Sequence, residues 1–225
     1  MGTHGPRRFL STWVCLGLSL LVTQAPLWSR AGAEPTPAAA RRLYRIDRGR
    51  SRVTIETHSS TLLSDSTRTH LLGARDFRGE LSMVPDMLET TAVDFTVRAD
   101  SLGILDQMSD PSRRDIDLAI RKVLDSARYP RIVFHSSAGS AKRIGPEVYD
   151  VAASGTLELH GVRRPLTVSA QVAVEHDALR IRGKCPVRQT DYGMVPFSLG
   201  KGAINVADEV TLTFDLVATT APGHE

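Results

Sequence analysis

The chain has 225 residues, with 28 Lys and Arg against 25 Asp and Glu. Arg7, Arg8 and Arg30 lie in an apolar leader that holds no acidic residue, so the rest of the chain is balanced at 25 against 25. Without a clustered excess of positive charge, the composition argues against a nucleic-acid partner. Removal of the leader also leaves one cysteine, Cys185, which excludes an intramolecular disulfide.

The N-terminus has the organisation of a cleaved secretory signal. A short basic start precedes an apolar run from Phe9 to Trp28, and Ala31-Gly32-Ala33 supplies small residues before Glu34. We therefore expect a signal peptide at 1–33, a flexible lead-in at 34–42, one domain at 43–219 and a tail at 220–225. This organisation predicts a periplasmic or secreted protein. An uncleaved N-terminal anchor is the alternative, and no later segment is apolar enough to span a membrane.

Apolar and polar residues alternate strictly in several segments, as expected for strands with one buried face. The apolar positions are Val93, Phe95, Val97 and Ala99; Leu166, Val168, Ala170, Val172 and Val174; and Val210, Leu212, Phe214 and Leu216. Such strands are typical of an all-β, antiparallel protein. The alternation does not by itself distinguish two stacked sheets from a closed barrel.

One short α-helix interrupts the predicted strands. Asp110 has the position of an N-cap and Pro111 that of the first helical residue. The apolar residues that follow have helical spacing and predict a stripe packed on the sheet: Ile116, Ile120, Val123 and Leu124. The helix is either a lid over a cavity or an inert plug.

Residues 157–168, Leu-Glu-Leu-His-Gly-Val-Arg-Arg-Pro-Leu-Thr-Val, read as a hairpin whose second strand begins near Pro165. The run resembles the signature of the YceI-like family. Four further segments fall in the family's order: Tyr44-Arg45-Ile46-Asp47, Ala127-Arg128-Tyr129-Pro130 with Phe134, Arg188-Gln189-Thr190-Asp191-Tyr192-Gly193, and Asp208-Glu209-Val210. Residues 62–79 resemble a divergent subgroup with a longer, polar first loop around Asp65. The resemblance implies a lipocalin-like antiparallel β-barrel that binds a polyisoprenoid, an isoprenoid quinone or a similar amphiphilic lipid.

The implied ligand site is the inward apolar face of the barrel, with few polar groups. Its predicted apolar members are Val93, Phe95, Val97, Phe134, Leu157, Leu159, Val168, Leu212 and Phe214. His70 is the predicted donor to a polar ligand head. Arg188 either pairs with Asp191 to hold a turn or, with Tyr192, contacts the ligand head at the cavity mouth.

Two other functions stay open. His58, His70, His135 and His160 could converge on a metal or haem iron, although the parity of His58 and His160 predicts that both face water. The third hypothesis is a stress-related structural protein whose barrel is filled by its own side chains. We expect no enzyme, metal or cofactor, because the chain has no Gly-x-Ser-x-Gly, His-Glu-x-x-His or Cys-x-x-Cys motif. Cys185 is predicted to be a small buried residue.

Overall fold

The computed structural model describes residues 41–61, 64–84 and 87–220. The predicted signal peptide, most of the lead-in and most of the tail lie outside these residues. Within them, strands dominate, and no helix has the length and hydropathy of a membrane span.

The strands are β1 Arg42–Ile46, β2 Arg52–Thr61, β3 Ser64–Ala74, β4 Phe77–Val84, β5 Met87–Arg98, β6 Leu102–Ile104, β7 Arg131–Gly145, β8 Val148–Leu159, β9 Val162–Glu175, β10 Ala178–Arg188, β11 Ser198–Leu199, β12 Ile204–Val206 and β13 Glu209–Thr220. The helix α1 spans Asp110–Val123, and short 3₁₀ helices span Arg48–Arg50, Ala99–Ser101 and Thr190–Tyr192.

Eight of these strands close into an antiparallel barrel. Their order is β1, β4, β5, β7, β8, β9, β10 and β13, and β13 pairs back to β1 with Ile46 opposite Ala218. Closure leaves the alternating apolar residues facing inward. The predicted all-β, lipocalin-like antiparallel barrel with one short helix is confirmed.

Five further strands extend the same sheet beyond the barrel from β13. The N-terminal half of β13 pairs with β2, and β2 continues past the barrel to pair with β3 and β12. Further pairings add β6 to β3 and β11 to β12. Residues 64–67, predicted as a polar loop, form the start of β3, because they pair with the end of β2 across a bulge.

The predicted hairpin at 157–168 is formed by β8 and β9. Its turn is only two residues, His160 and Gly161, with φ of 52° and 77°. Both angles lie in the left-handed region that two-residue hairpin turns require. The second strand begins at Val162, three residues before Pro165, which lies within β9 opposite Thr156.

The helix begins one residue earlier than its sequence suggests. Ser109 is the N-cap with extended backbone, and Asp110 and Pro111 are the first helical residues. The predicted apolar stripe is only half-buried, whereas Asp117 is buried and accepts a hydrogen bond from the backbone amide of Ile104 at 2.9 Å. The helix is thus tied to β6 by a polar contact.

The buried apolar residues form two groups. The main core lies within the barrel and includes Tyr44, Val53, Leu81, Val97, Leu179 and Leu216. The second, called here the end cluster, consists of Leu157, Leu159, Val187, Tyr192 and Met194, with Phe134, Leu166 and Val210 packed against it. It lies at the end of the barrel where β8, β10 and the Thr190–Tyr192 helix meet.

Candidate functional site

A cavity of about 150 Å³ lies inside the barrel. Inward residues of all eight barrel strands contribute to its wall, which is apolar almost throughout. Leu81, Val93, Val168, Leu212 and Phe214 are representative members. An interior of this kind favours an apolar guest, since an unpaired charge or polar group inside it loses its hydration without compensation.

The polar residues at the wall do not make it hydrophilic. Glu80 and Asp94 contribute to the wall, but their carboxylates are more than half exposed on the outer surface, where they pair with Arg45 and His135. Thr91 has the inward parity, and its hydroxyl donates to the backbone oxygen of Leu88 at 2.6 Å. The cavity therefore offers almost no polar partner to a ligand.

Glycines beside the cavity make room for its aromatic side chains. The ring of Phe95 lies across Gly79, where an added Cβ would come within 2.7 Å of Phe95 Cδ2. Phe214 lies across Gly183 in the same way, with its Cζ 2.5 Å from such a Cβ. A residue with a Cβ at Gly79 or Gly183 would therefore clash with the ring of Phe95 or Phe214 in its present position.

Most of the predicted apolar ligand residues are at the cavity wall. The structure places seven there: Val93, Phe95, Phe134, Leu157, Val168, Leu212 and Phe214. Val97 and Leu159 face inward but do not line the cavity; Val97 lies in the main core and Leu159 in the end cluster. Alternation determines the face of a strand but not the depth along the barrel, and both residues are near strand ends.

The end cluster adjoins the cavity. Phe134, Leu157 and Leu166 belong to the cavity wall and also contact this cluster. Tyr192, predicted at the cavity mouth, is buried behind them at 3% exposure, and burial raises the pKa of its hydroxyl. No residue of α1 lines the cavity, so the helix is not a lid over it.

His70 lies outside the cavity, in a chain of hydrogen bonds. Its Nδ1 is 2.7 Å from Asp106 Oδ2, and its Nε2 is 2.9 Å from Ser59 Oγ. Because a carboxylate only accepts, Nδ1 donates to Asp106 and leaves Nε2 to accept from Ser59 in the neutral imidazole. The chain connects β2, β3 and the loop after β6.

Ser59, His70 and Asp106 are hydrogen-bonded in the order of a serine-hydrolase triad. The surroundings of Ser59, however, differ from those of an acyl-transfer site. Ser59 is 7% exposed in the middle of a sheet, paired with β3 and β12 rather than standing at a turn beside free backbone amides. Its neighbour Thr57 has a buried hydroxyl that lacks a hydrogen bond. These hydrogen bonds are best explained as structural contacts that hold β2, β3 and the loop after β6 together.

The other three candidate histidines lie on different elements: His58 on β2, His135 on β7 and His160 in the turn between β8 and β9. His58 bonds Thr69, His135 bonds Asp94, and His160 packs on the ring of Tyr129 with its Nδ1 near the backbone oxygen of Tyr192. His58 and His160 are both partly exposed. Among the described residues, no three His, Cys, Asp or Glu side chains are grouped to hold a metal ion.

Arg188 holds a turn, but with a different partner from the one predicted. Its Nε donates to Asp208 Oδ2 at 3.2 Å, not to Asp191. Asp208 also accepts from the backbone amide and hydroxyl of Thr190, and these bonds lower the pKa of Asp208. The guanidinium of Arg188 is therefore engaged by Asp208, outside the cavity.

Cys185 is buried, as predicted. It is 3% exposed on the inner side of β10, and burial raises the pKa of its thiol. A thiol held protonated in this way is a poor nucleophile.

The comparisons with known proteins identify the family. A family model described as the YceI-like domain matches residues 44–218. The chain belongs to the YceI-like family. No curated protein matches it significantly.

Two of the solved structures with the same fold have low identity to this chain. Burkholderia cenocepacia BcnA has a TM-score of 0.58 and 20% identity, and the match covers 77% of this chain and 99% of that one. The structure of a polyisoprenoid binding domain from Saccharophagus degradans, described as implicated in plant cell wall breakdown, has a TM-score of 0.54 and 16% identity over 79% and 98% of the two chains. At these identities the likeness shows the fold alone.

Proposed function

We propose that this YceI-like protein is an exported carrier that binds a polyisoprenoid, an isoprenoid quinone or a similar amphiphilic lipid in its barrel cavity. The observation that carries the proposal is a cavity whose wall is apolar on every barrel strand. The description of the Saccharophagus degradans domain as polyisoprenoid binding supports it. Affinity would come from burial of the tail, at about 0.8 kcal/mol per buried CH₂.

The size of the cavity limits how much of a tail it holds without change. At about 150 Å³, it resembles an engineered apolar cavity that accommodates benzene. A five-carbon isoprene unit is close to benzene in size, so roughly one unit fits the interior as it stands. A longer tail requires the phenylalanine rings or the end cluster to move.

A barrel filled by its own side chains is the second candidate, and the same volume favours it. Ligand sites usually measure about 300–1,000 Å³, well above this cavity. In that case the protein would serve a structural or interaction role. A metal or haem accessory has less support, because the histidines make separate contacts on different parts of the barrel.

Binding rather than catalysis is part of the proposal. The cavity wall offers one inward hydroxyl, that of Thr91, and it carries no inward acid, base or thiol side chain near that hydroxyl. General acid–base or nucleophilic chemistry needs such groups within hydrogen-bond reach of a substrate.

Export is also part of the proposal and rests on the leader sequence. The Ala31-Gly32-Ala33 pattern places the first mature residue at Glu34. Intact-mass measurement on protein from the native host tests this. A mass that retains residues 1–33 would contradict a freely diffusing carrier.

Organic extraction of the purified protein, followed by mass spectrometry, tests the carrier proposal. The expected result is a prenyl lipid in near-stoichiometric amount. Delipidated protein should also take up ubiquinone from loaded vesicles. Extracts without lipid, together with no uptake, would favour the filled barrel instead.

A further inference from the structure

The segment 193–206, called here the apolar arm, follows the Thr190–Tyr192 helix and pairs with β2 through β12. It contains the hairpin of β11 and β12, in which Leu199 pairs with Ile204. Its large apolar side chains are exposed to an unusual degree: Val195 by 80%, Leu199 by 55% and Ile204 by 36%. Leu199 and Ile204 lie opposite each other in the hairpin, and exposed apolar side chains grouped in this way mark a contact site for a membrane or another protein.

The arm carries a single charge, at its tip. Lys201 is the only charged residue between Asp191 and Asp208. It lies between Gly200 and Gly202 in a turn where all three residues have positive φ, and no described side chain forms an ion pair with it. The arm thus presents apolar side chains around one free cation.

We propose that the apolar arm docks on an anionic lipid bilayer; its role in lipid exchange rests on the carrier function proposed above. Apolar side chains that enter the interfacial region gain free energy by leaving water, and a lysine is attracted to anionic head groups. The absence of any acid in the arm removes the repulsion that such a surface would impose.

The position of the arm supports a membrane rather than an unrelated partner. Met194, the residue before Val195, is buried in the end cluster, and Phe134 and Leu157 join that cluster to the cavity wall. Docking through the arm would therefore bring the bilayer near the end of the cavity that adjoins the end cluster. A tail leaving the cavity at this end would pass into lipid and avoid water.

A second copy of the chain is the competing occupant. Among the described strands β11 pairs with β12 alone, and an edge of this kind can add a strand from another molecule. Strand pairing between two copies would not require the positive charge of Lys201. The dependence of binding on Lys201 therefore separates the two occupants.

Vesicle flotation with the purified protein tests the proposal. The vesicles are phosphatidylcholine alone or a mixture with phosphatidylglycerol. We expect wild-type protein to float with the anionic vesicles, and the double variant Val195→Asp, Leu199→Asp to lose binding by about tenfold. Leu118→Asp is the matched control, because Leu118 is a leucine exposed by 58% on α1, away from the arm.

Charge reversal provides the second comparison. Lys201→Glu should weaken binding to the anionic vesicles by about fivefold or more, and high salt should have a similar effect on the wild type. Lys184→Glu, at an exposed position on β10, should change binding little.

Three results would overturn the proposal. The first is wild-type protein that does not float with anionic vesicles. The second is equal binding by the wild type and the Val195→Asp, Leu199→Asp variant. The third is a dimer, measured by light scattering, that this variant dissociates while vesicle binding is absent. Since flotation does not require a bound ligand, failure here leaves the lipid-extraction test of the carrier function intact.

Discussion

Filling the cavity with one aromatic ring should separate an open barrel from a filled one. Ala153 lies at the cavity wall on β8, opposite Gly139 on the neighbouring strand. Ala153→Phe directs a phenyl ring into the space. An apolar cavity of about 150 Å³ accepts benzene, so the ring fits the observed volume.

The magnitude follows from the buried area. Full burial of a Phe side chain contributes about 1.5–3 kcal/mol, from which the lost rotamer freedom of the ring is subtracted. We expect the ligand-free Ala153→Phe protein to gain about 1–2 kcal/mol in free energy of unfolding. For a domain of this size, that raises Tm by about 2–8 °C. The same ring should exclude the lipid.

The assay combines thermal unfolding of delipidated protein with lipid content after vesicle exchange. Ala152→Phe is the control, because Ala152 is one residue away with the opposite parity and does not line the cavity. That variant should stay within about 0.5 kcal/mol of the wild type and keep its lipid.

Two outcomes would refute the reasoning. If Ala153→Phe lowers the free energy of unfolding by about 1–3 kcal/mol, as overpacking does, the interior has no usable space. If the variant is stabilised but takes up as much lipid as the wild type, the ligand lies elsewhere.

Four further substitutions or treatments test individual contacts. Thr57→Val removes the unpartnered buried hydroxyl and should raise the free energy of unfolding by about 1 kcal/mol; a loss would mean that the hydroxyl has a partner. Gly155→Ala should lower it by about 1–3 kcal/mol, because a Cβ there meets a backbone oxygen of the adjacent strand; unchanged thermal unfolding would show that the strands separate easily. Cys185, whose pKa burial raises, should react with thiol reagents only after denaturation, and complete labelling of native protein within seconds would contradict this. The hydrogen bond from Arg180 lowers the pKa of Asp215, so Asp215→Asn should cost at most about 1 kcal/mol at neutral pH, given its exposure, and the difference should vanish as pH falls through that lowered pKa; a difference that persists at low pH would have another cause.

The inner face of the barrel was predictable because strand alternation has a period of two. That period correctly orients Val93, Phe95, Leu212 and Phe214 toward the cavity. The period carries no information on depth along the barrel, so it predicts Val97 at the ligand site although Val97 lies in the main core and does not line the cavity.

The sequence does not predict which side chains of distant strands become hydrogen-bond partners. Asp191 is close to Arg188 along the chain, but Asp208 at the start of the final strand segment is the residue that approaches it. Likewise, the sequence does not indicate the partners of His70, since Ser59 and Asp106 come from different elements. Neither pairing has a sequence signal before the register of the sheet is known.

Closure of the barrel by its first and last strands has a consequence for how the chain acquires its structure. The hydroxyl of Ser51 accepts a hydrogen bond from the backbone amide of Val217 at 2.9 Å, across a separation of 166 residues. Joining such distant segments costs loop-closure entropy before any contact compensates it, so folding should be slow, as in other topologies of high contact order. A chain that lacks β13 would leave β1, β2 and β10 without their common neighbour. The interior would then stay open to water, and no ligand could be retained until synthesis reaches the final strand.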